Sequence, residues 1–155
     1  MTKQIIAVLP RVASLTLSLL VAVTANNAKG EASSGLAGST WRLAELRSSD
    51  DAVAIVRPDD SAKYEMTLGT DGAAALRLDC NRAAGRWMSS ATNQTTGTMT
   101  FTPLAMTRAA CPPGSLDTRV ARELGFVRTY IIAGDSLHLI MMADGGSQVW
   151  SRVRE

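Results

Sequence analysis

The feature that most constrains this chain is its single pair of cysteines, Cys80 and Cys111. Their separation is far too wide for a Cys-x-x-Cys site. In an exported protein an even number of cysteines indicates a disulfide, whereas in the cytosol the same residues indicate redox chemistry or metal binding. A bridge between them would close a loop and stabilise the fold by roughly 3–4 kcal/mol. The interpretation of the pair therefore depends on the compartment.

The N-terminal segment indicates export. Residues 1–25 combine a short polar start, an apolar run from Leu15 to Val23 and small or short residues at Val23-Thr24-Ala25, where a signal peptidase would cleave. We predict a signal peptide over residues 1–25 and an exported protein, periplasmic if the source is Gram-negative. The apolar run is shorter than the roughly 20 residues of a membrane span. We therefore expect no stable membrane span after cleavage.

Export favours a structural disulfide between Cys80 and Cys111. A zinc site needs three or four ligands, and the chain has two cysteines and one histidine, His138. Reactive or metal-bound thiols are the alternative interpretation. We expect neither a metal nor another cofactor.

Signal-peptide cleavage also changes the charge of the chain. The full sequence has 16 Lys and Arg against 14 Asp and Glu, and removal of Lys3 and Arg11 leaves 14 against 14. Nucleic-acid binding requires a basic face, whereas these basic residues are scattered along the sequence. The sequence therefore predicts no nucleic-acid partner.

The mature chain is predicted to be one domain behind a short lead-in. Residues 26–38 are small and polar and have no hydrophobic periodicity, which is typical of a flexible lead-in. Residues 39–155 have the length of a single domain with one modest core.

Most of this domain has the alternating pattern of half-buried β-strands. The turn sequence Gly69-Thr70-Asp71-Gly72 predicts a hairpin whose second strand leads to Cys80, because Asp-Gly tolerates positive φ. A short strand is also predicted within residues 52–57. The other predicted strands are 39–46, 63–68, 73–78, 85–90, 98–102, 129–133, 137–142 and 148–153.

One helix is predicted near residues 115–128. Ser115 can cap it, and Leu116, Val120, Leu124 and Val127 recur at helical spacing. The apolar stripe should pack on the sheet. The predicted fold class is therefore α+β and dominated by β, with an antiparallel curved or barrel-like sheet of about six to eight strands and this one packed helix.

Two local sequences around the cysteines carry a family resemblance. They are Leu78-Asp79-Cys80-Asn81-Arg82 and the segment from Leu104 to Cys111, which contains Met106-Thr107-Arg108. With the Trp41 strand, the Asp71-Gly72 hairpin and the terminal helix and hairpin, the order resembles the META domain family of HslJ-like heat-inducible envelope proteins, over residues 36–153. The resemblance implies a small β-rich envelope domain, associated with stress and antibiotic tolerance, with no established enzymatic activity or cofactor.

The chain differs from this family pattern in two places. Leu78-Asp79 stands where members commonly have a glycine before the Cys-Asn pair. No lipobox cysteine stands directly after the apolar N-terminal run, which weakens any carry-over of the membrane attachment of lipoprotein-linked members.

A Cys80–Cys111 bridge would bring Asn81 and Arg82 close to Thr107 and Arg108. Asn81 follows a strand end, where a short amide can bond local backbone groups and tolerate a left-handed conformation. The two guanidinium groups are suited to bidentate recognition of a carboxylate or phosphate. These four residues therefore form either a structural support or a recognition site.

Three functions are consistent with this sequence. The first is a non-catalytic envelope protein that binds a partner or supports envelope integrity under stress. The second is an inhibitor or small-ligand-binding module that uses Arg82 and Arg108. The third is a small hydrolase around His138, but the chain has no Gly-x-Ser-x-Gly, phosphate-loop or zinc-protease motif. We predict no catalytic residue, and a partner that is an envelope protein or a small ligand.

Overall fold

The structure is a computed structural model that describes residues 35–49 and 55–154. The predicted signal peptide, residues 1–25, lies outside the described residues. So do residues 26–34 of the predicted lead-in and residues 52–54 of the short strand predicted within residues 52–57. In the described half of that segment, Val56 forms an isolated antiparallel bridge with Leu46.

Antiparallel strands and one short helix make up the described chain. A single 3-10 turn, Ser61–Lys63, precedes the second strand. In chain order the elements are β1 Ser39–Arg47, β2 Tyr64–Leu68, β3 Ala73–Leu78, β4 Asn81–Ala91, β5 Thr96–Phe101, β6 Ala105–Met106, α1 Asp117–Leu124, β7 Val127–Ala133, β8 Ser136–Met141 and β9 Ser147–Arg152.

The strands close into an eight-stranded barrel in the order β3-β2-β1-β9-β8-β7-β5-β4, with β4 returning to β3. Closure depends on the length of β4, whose residues 81–86 pair with β3 and whose residues 87–91 pair with β5. The two-residue strand β6 pairs with β4 beside this circuit. The prediction of a β-dominated, antiparallel, barrel-like α+β fold is confirmed.

Alternation along the strands fills the barrel with apolar side chains. Trp41 and Leu43 of β1 are fully buried, and Arg42 between them is partly exposed. Each of the two central tryptophans places its indole N–H on a polar partner, which a buried donor requires. Nε1 of Trp41 donates to Oγ of Ser39 at 2.6 Å, and Nε1 of Trp150 donates to Oε1 of Gln148 at 3.1 Å.

Helix α1 lies at the end of the barrel where β2, β4 and β9 begin. Val120 and Leu124 are fully buried in the core. The buried side chain of Gln148, at the start of β9, donates from Nε2 to the carbonyl oxygen of Val120 at 3.3 Å. This bond ties the helix to the barrel without leaving the Gln148 amide unsatisfied.

The helix is shorter than the predicted range of 115–128. The backbone N–H of Gly125 donates to the carbonyl oxygens of Arg122 and Glu123. The N–H of Phe126 donates to the carbonyl oxygen of Glu123, and these bonds end the helix. Val127 is buried as the periodicity indicated, but it is the first residue of β7.

Two turns flank β3, one before it at Asp71-Gly72 and one after it that leads to β4. The predicted Asp71-Gly72 hairpin is confirmed, with Gly72 at φ +80° and Oδ1 of Asp71 accepting from the N–H of Ala73 at 3.0 Å. In the turn before β4 the left-handed conformation is taken by Asp79, with φ +57°, and not by Asn81. Asn81 is already the first residue of β4.

Residues 35–38 form a turn that belongs to the domain. Leu36 is fully buried in the core, and the N–H of Gly38 donates to the carbonyl oxygen of Leu68 at 2.7 Å. The ordered domain therefore begins before Ser39, and the last residues of the predicted lead-in are part of the packed structure.

A substitution at Gly97 tests how tightly the barrel wall is packed. A Cβ at this position would overlap the carbonyl oxygen of Ser90 and lie 2.8 Å from Cε1 of Tyr130, which covers the glycine from β7. We expect Gly97→Ala to destabilise the protein by about 2 kcal/mol, because overpacking forces the strands apart.

The matched control is Gly125→Ala, since Gly125 has helical φ and its added Cβ would meet its nearest atom at 3.3 Å. Urea unfolding should place the control within about 0.5 kcal/mol of the wild type. Equal stability of the two variants would contradict the packing at Gly97.

Candidate functional site

The predicted disulfide is present. Cys80 and Cys111 are bridged with a Cα–Cα distance of 5.5 Å, within the ordinary range for a disulfide. Cys80 lies in the two-residue turn between β3 and β4, and Cys111 lies in the segment that leads to α1. The bridge therefore attaches the start of β4 to the chain between β6 and the helix.

Beside the bridge, the amide of Asn81 joins three parts of the chain and is 1% exposed. Its Oδ1 accepts from the N–H of Ala109 at 2.9 Å, and its Nδ2 donates to the carbonyl oxygen of the same residue at 3.1 Å. This reciprocal pair imitates the bonding of one backbone peptide group to another. Nδ2 also donates to Oδ2 of Asp117 at 2.8 Å, which connects the pair to the helix.

Thr107 continues the contact between β4 and the segment that contains β6. Its hydroxyl donates to Oδ1 of Asn81 at 2.8 Å and accepts from the N–H of Arg82 at 2.9 Å. Its own N–H donates to the carbonyl oxygen of Arg82 at 2.9 Å. With the pairing of β6 to Ala83 and Ala84, these bonds hold residues 105–109 extended along the first half of β4.

Asp117 is the first residue of α1 and is 9% exposed. Burial raises the pKa of its carboxyl, but the backbone N–H of Thr118 and the amide of Asn81 donate to the carboxylate and lower the pKa below its ordinary value. The position at a helix N-terminus also favours negative charge. Asp117 is therefore ionised at neutral pH, with its charge satisfied by these donors.

A cleft of about 530 Å³ opens beside this network. We call it the β6–α1 cleft, because the extended segment 104–109 forms one side and the helix forms the other. The segment contributes Leu104, Met106, Arg108 and Ala109, the helix contributes Asp117, Thr118, Ala121 and Arg122, and Asn81 lies between them.

The arginines at this cleft differ from the others. Among the described residues, each other arginine directs its guanidinium to a carboxylate or to a backbone carbonyl oxygen. Within the same residues, the guanidiniums of Arg108 and Arg122 have no hydrogen-bond or carboxylate partner. Both are exposed, and both line the β6–α1 cleft.

The structure separates the four residues of the predicted site. Asn81 and Thr107 are bonded to each other, and Arg108 lines the cleft. Arg82 does not line it and donates from its guanidinium to the carbonyl oxygen of Asn81 at 3.2 Å. The recognition role of this group stays a prediction.

Sequence reasoning missed Asp117 and Arg122. Asp117 and Ala121 are four residues apart, as are Thr118 and Arg122, so the four residues share one face of the helix. This i, i+4 spacing was the signal that could have identified the helix side of the cleft. His138 lies on β8 between Ile131 and Val149 and does not line the cleft.

Comparison with known proteins identifies the family. The META domain profile matches residues 34–154. This chain belongs to the META domain family. No curated protein matches it. The META fold seen here is also found in two solved structures of low sequence identity.

The first is the NMR structure of a protein from Burkholderia xenovorans, with 19% identity and a TM-score of 0.63 over 93% of this chain and 100% of that chain. The second is the crystal structure of a DUF4847 family protein from Bacteroides vulgatus, with 12% identity and a TM-score of 0.51 over 77% of this chain and 96% of that chain. At these identities the similarity concerns the fold alone.

Further observations bear on compartment and chemistry. A disulfide and a META domain are compatible with an exported protein. In the part of the chain that the structure describes, no helix has the length and apolar character needed to cross a bilayer. Over the same residues, no three His, Cys, Asp or Glu side chains are grouped so that they could hold a metal ion.

The substitution Asn81→Asp tests whether the Asn81 amide stabilises the fold. The substitution removes the donor to Ala109 and Asp117 and places a second carboxylate beside Asp117. We expect a loss of about 3 kcal/mol at neutral pH, because the Ala109 carbonyl oxygen and the buried Asp117 carboxylate each lose a donor and like charges approach. Arg82→Ala, an exposed neighbour, should change stability by less than about 1 kcal/mol. Urea unfolding measures both, and a loss no larger in Asn81→Asp than in the control would contradict this role.

Asp117 should make stability depend on pH in the acid range. Since its folded pKa is below the ordinary value of 3.8, its charged form contributes stability that is complete above that value and is lost as pH falls through the folded pKa. The stability difference between the wild type and Asp117→Asn should therefore shrink below pH 3.8.

The pKa values of Glu45, Asp71 and Asp135 are also lowered by hydrogen-bonded partners. Because these three residues are present in both proteins, the stability difference reports the contribution of Asp117 alone. Urea midpoints across a pH series give the measurement. A difference that stays constant with pH would show that the Asp117 charge does not stabilise the fold.

Proposed function

We propose that this META domain protein is a non-catalytic, exported envelope protein that recognises an acidic group of a partner in the β6–α1 cleft. The observation that carries the proposal is the placement of Arg108 and Arg122. Among the described residues, their guanidiniums alone lack a hydrogen-bond or carboxylate partner, and both line the same cleft.

The cleft has the chemistry for such a group. Guanidinium binds carboxylate and phosphate through two parallel hydrogen bonds. Leu104, Met106 and Ala121 add apolar surface next to the two arginines. Asp117 also lines the cleft, but Asn81 and Thr118 already donate to its carboxylate. Two guanidiniums against one satisfied carboxylate leave the cleft suited to an anion.

The cleft is also preorganised. Segment 104–109 is held to β4 by backbone pairing, by the amide of Asn81 and by the Cys80–Cys111 bridge just beyond it. A rigid site loses less conformational entropy on binding than a mobile one. The structural support predicted around the disulfide and the proposed recognition site are therefore two parts of one arrangement.

The titratable groups support a non-catalytic role. Asp117 is the carboxyl group that lines the cleft, and its lowered pKa makes it a weak proton acceptor at neutral pH. His138, the residue required by the hydrolase hypothesis, lies outside the cleft. We further propose that binding contributes to stress or antibiotic tolerance in the envelope, in the periplasm if the source is Gram-negative, as the family resemblance implies.

A small acidic molecule is the second candidate for the partner. The cleft volume of about 530 Å³ is the observation that favours it, since ligand pockets commonly enclose about 300–1,000 Å³. In that case Arg108 and Arg122 would take the role that the sequence assigned to Arg82 and Arg108.

The test is photo-crosslinking in the native envelope, with a photoreactive residue replacing the exposed Thr118 at the cleft. We expect adducts that fall at least about tenfold when Arg108→Ala and Arg122→Ala are combined, because two charged hydrogen-bonding groups are lost. Arg82→Ala, which leaves the cleft arginines intact, should retain the adducts.

A small-molecule partner would be identified by mass spectrometry of protein purified from the envelope, with the same dependence on the two arginines. Adducts or bound molecules that are unaffected by the double substitution would overturn the proposal. Absence of both would overturn it as well.

A further inference from the structure

The strand β6 has one free edge beside a barrel that is otherwise closed. Among the described strands, each of the eight barrel strands has a neighbour on both sides, whereas β6 pairs with β4 alone. A free edge presents unpaired backbone N–H and C=O groups and is a template for another strand.

The bonding of residues 105–109 shows which backbone groups are free. The N–H of Thr107 donates to Arg82, and the N–H of Ala109 donates to the side chain of Asn81. Consecutive residues of an extended chain direct their backbone groups to opposite sides. Met106 and Arg108 therefore direct their N–H and C=O groups away from β4, and those of Arg108 have no partner among the described residues.

Helix α1 faces this edge segment across the cleft. Leu104, Met106 and Arg108 line the strand side at alternate positions, and Thr118, Ala121 and Arg122 line the helix side. The site is thus a groove between a strand with a free edge and a helix. Segment 104–109 is long enough, at about 3.3 Å per residue, to accompany a peptide of about six residues.

We propose that the occupant of the β6–α1 cleft is an extended peptide segment of a partner protein that adds as a further strand to the free edge of β6. This inference rests on the proposed function and specifies the partner. Alternate side chains of the peptide enter the cleft, apolar ones against Leu104 and Met106, and an acidic side chain or C-terminal carboxylate between Arg108 and Arg122.

A peptide fits this cleft better than an acidic amphiphile such as a fatty acid. The amphiphile satisfies the two guanidiniums and the apolar surface, but it offers no partner to the outward N–H and C=O groups of Met106 and Arg108. An extended peptide satisfies both, since it carries a donor and an acceptor at each residue and repeats its side chains with the same period as segment 104–109.

The test begins with a displayed library of random octapeptides with free C-termini, selected on the mature, disulfide-bonded protein. We expect enriched peptides with apolar residues at alternating positions and an Asp, Glu or terminal carboxylate at one end. Their binding should be lost in the Arg108→Ala and Arg122→Ala double variant. The selected peptide is then resynthesised with single backbone N-methyl groups.

N-methylation removes a donor and blocks strand pairing without changing the side chains. The amides that face β6 should weaken binding by about tenfold or more, equivalent to about 1.4 kcal/mol, whereas the amides between them should have little effect. This alternation with period two is the result that identifies strand addition.

The protein side of the same contact is tested by Met106→Pro against Met106→Ala. The N–H of Met106 points away from β4, and edge strands tolerate proline. Proline removes this N–H, whereas alanine shortens the same side chain and keeps it. We expect the proline variant to bind the selected peptide at least about tenfold more weakly than the alanine variant. Thermal unfolding establishes that both are folded, and the N-methyl series decides the question if the proline variant is not.

Two results would overturn strand addition: no peptide is selected, or the selected peptides tolerate N-methylation at every amide. In either case dodecanoate is the second probe. Dodecanoate binding that requires Arg108 and Arg122 would leave the proposed function standing with a different occupant. Failure of both probes to depend on these arginines would reject the proposed function together with the inference.

Discussion

The structure around the cleft depends on one buried amide, that of Asn81. Its oxygen accepts from Ala109 and Thr107, and its nitrogen donates to Ala109 and Asp117. Few side chains can replace it, because the site needs a donor and an acceptor at a fixed separation. An aspartate has no donor, and an apolar residue would remove the side-chain partner of the Ala109 peptide group and one of the donors to the Asp117 carboxylate. The start of β4, the segment after β6 and the first turn of α1 are therefore held together at one residue.

The barrel explains why the proposed recognition site lies at this end of the fold. Each of the eight described barrel strands has a neighbour on both sides, and apolar side chains fill the interior, whereas β6 pairs with β4 alone. β6 and α1 stand beside this circuit in the connection between β5 and β7. The disulfide and the Asn81 network keep this connection in place, and the space between its two parts is the cleft.

Charge distribution distinguishes the cleft from the rest of the surface. Most arginines among the described residues are used locally, as Arg119 is with Glu123 one helical turn away, or Arg42 with Glu65 across β1 and β2. Surface pairs of this kind contribute little to stability, but they leave few guanidiniums free to bind another molecule. Arg108 and Arg122, whose guanidiniums have no partner among the described residues, lie on the two sides of the β6–α1 cleft. This arrangement has no evident structural purpose in the described chain, and for that reason it carries the functional proposal.

The sequence by itself determined the features that depend on local chemistry. Alternating side chains indicated the strands, Asp71-Gly72 indicated the first hairpin, and the two cysteines indicated a bridge that the structure contains. Only the tertiary structure decided barrel closure, the left-handed conformation of Asp79 and the placement of Arg108 and Arg122 at the same cleft. Strand and turn preferences depend on neighbours along the chain. Which buried amide bonds to which helix, and which arginine finds no carboxylate, depends instead on residues that are distant in sequence and adjacent only after folding.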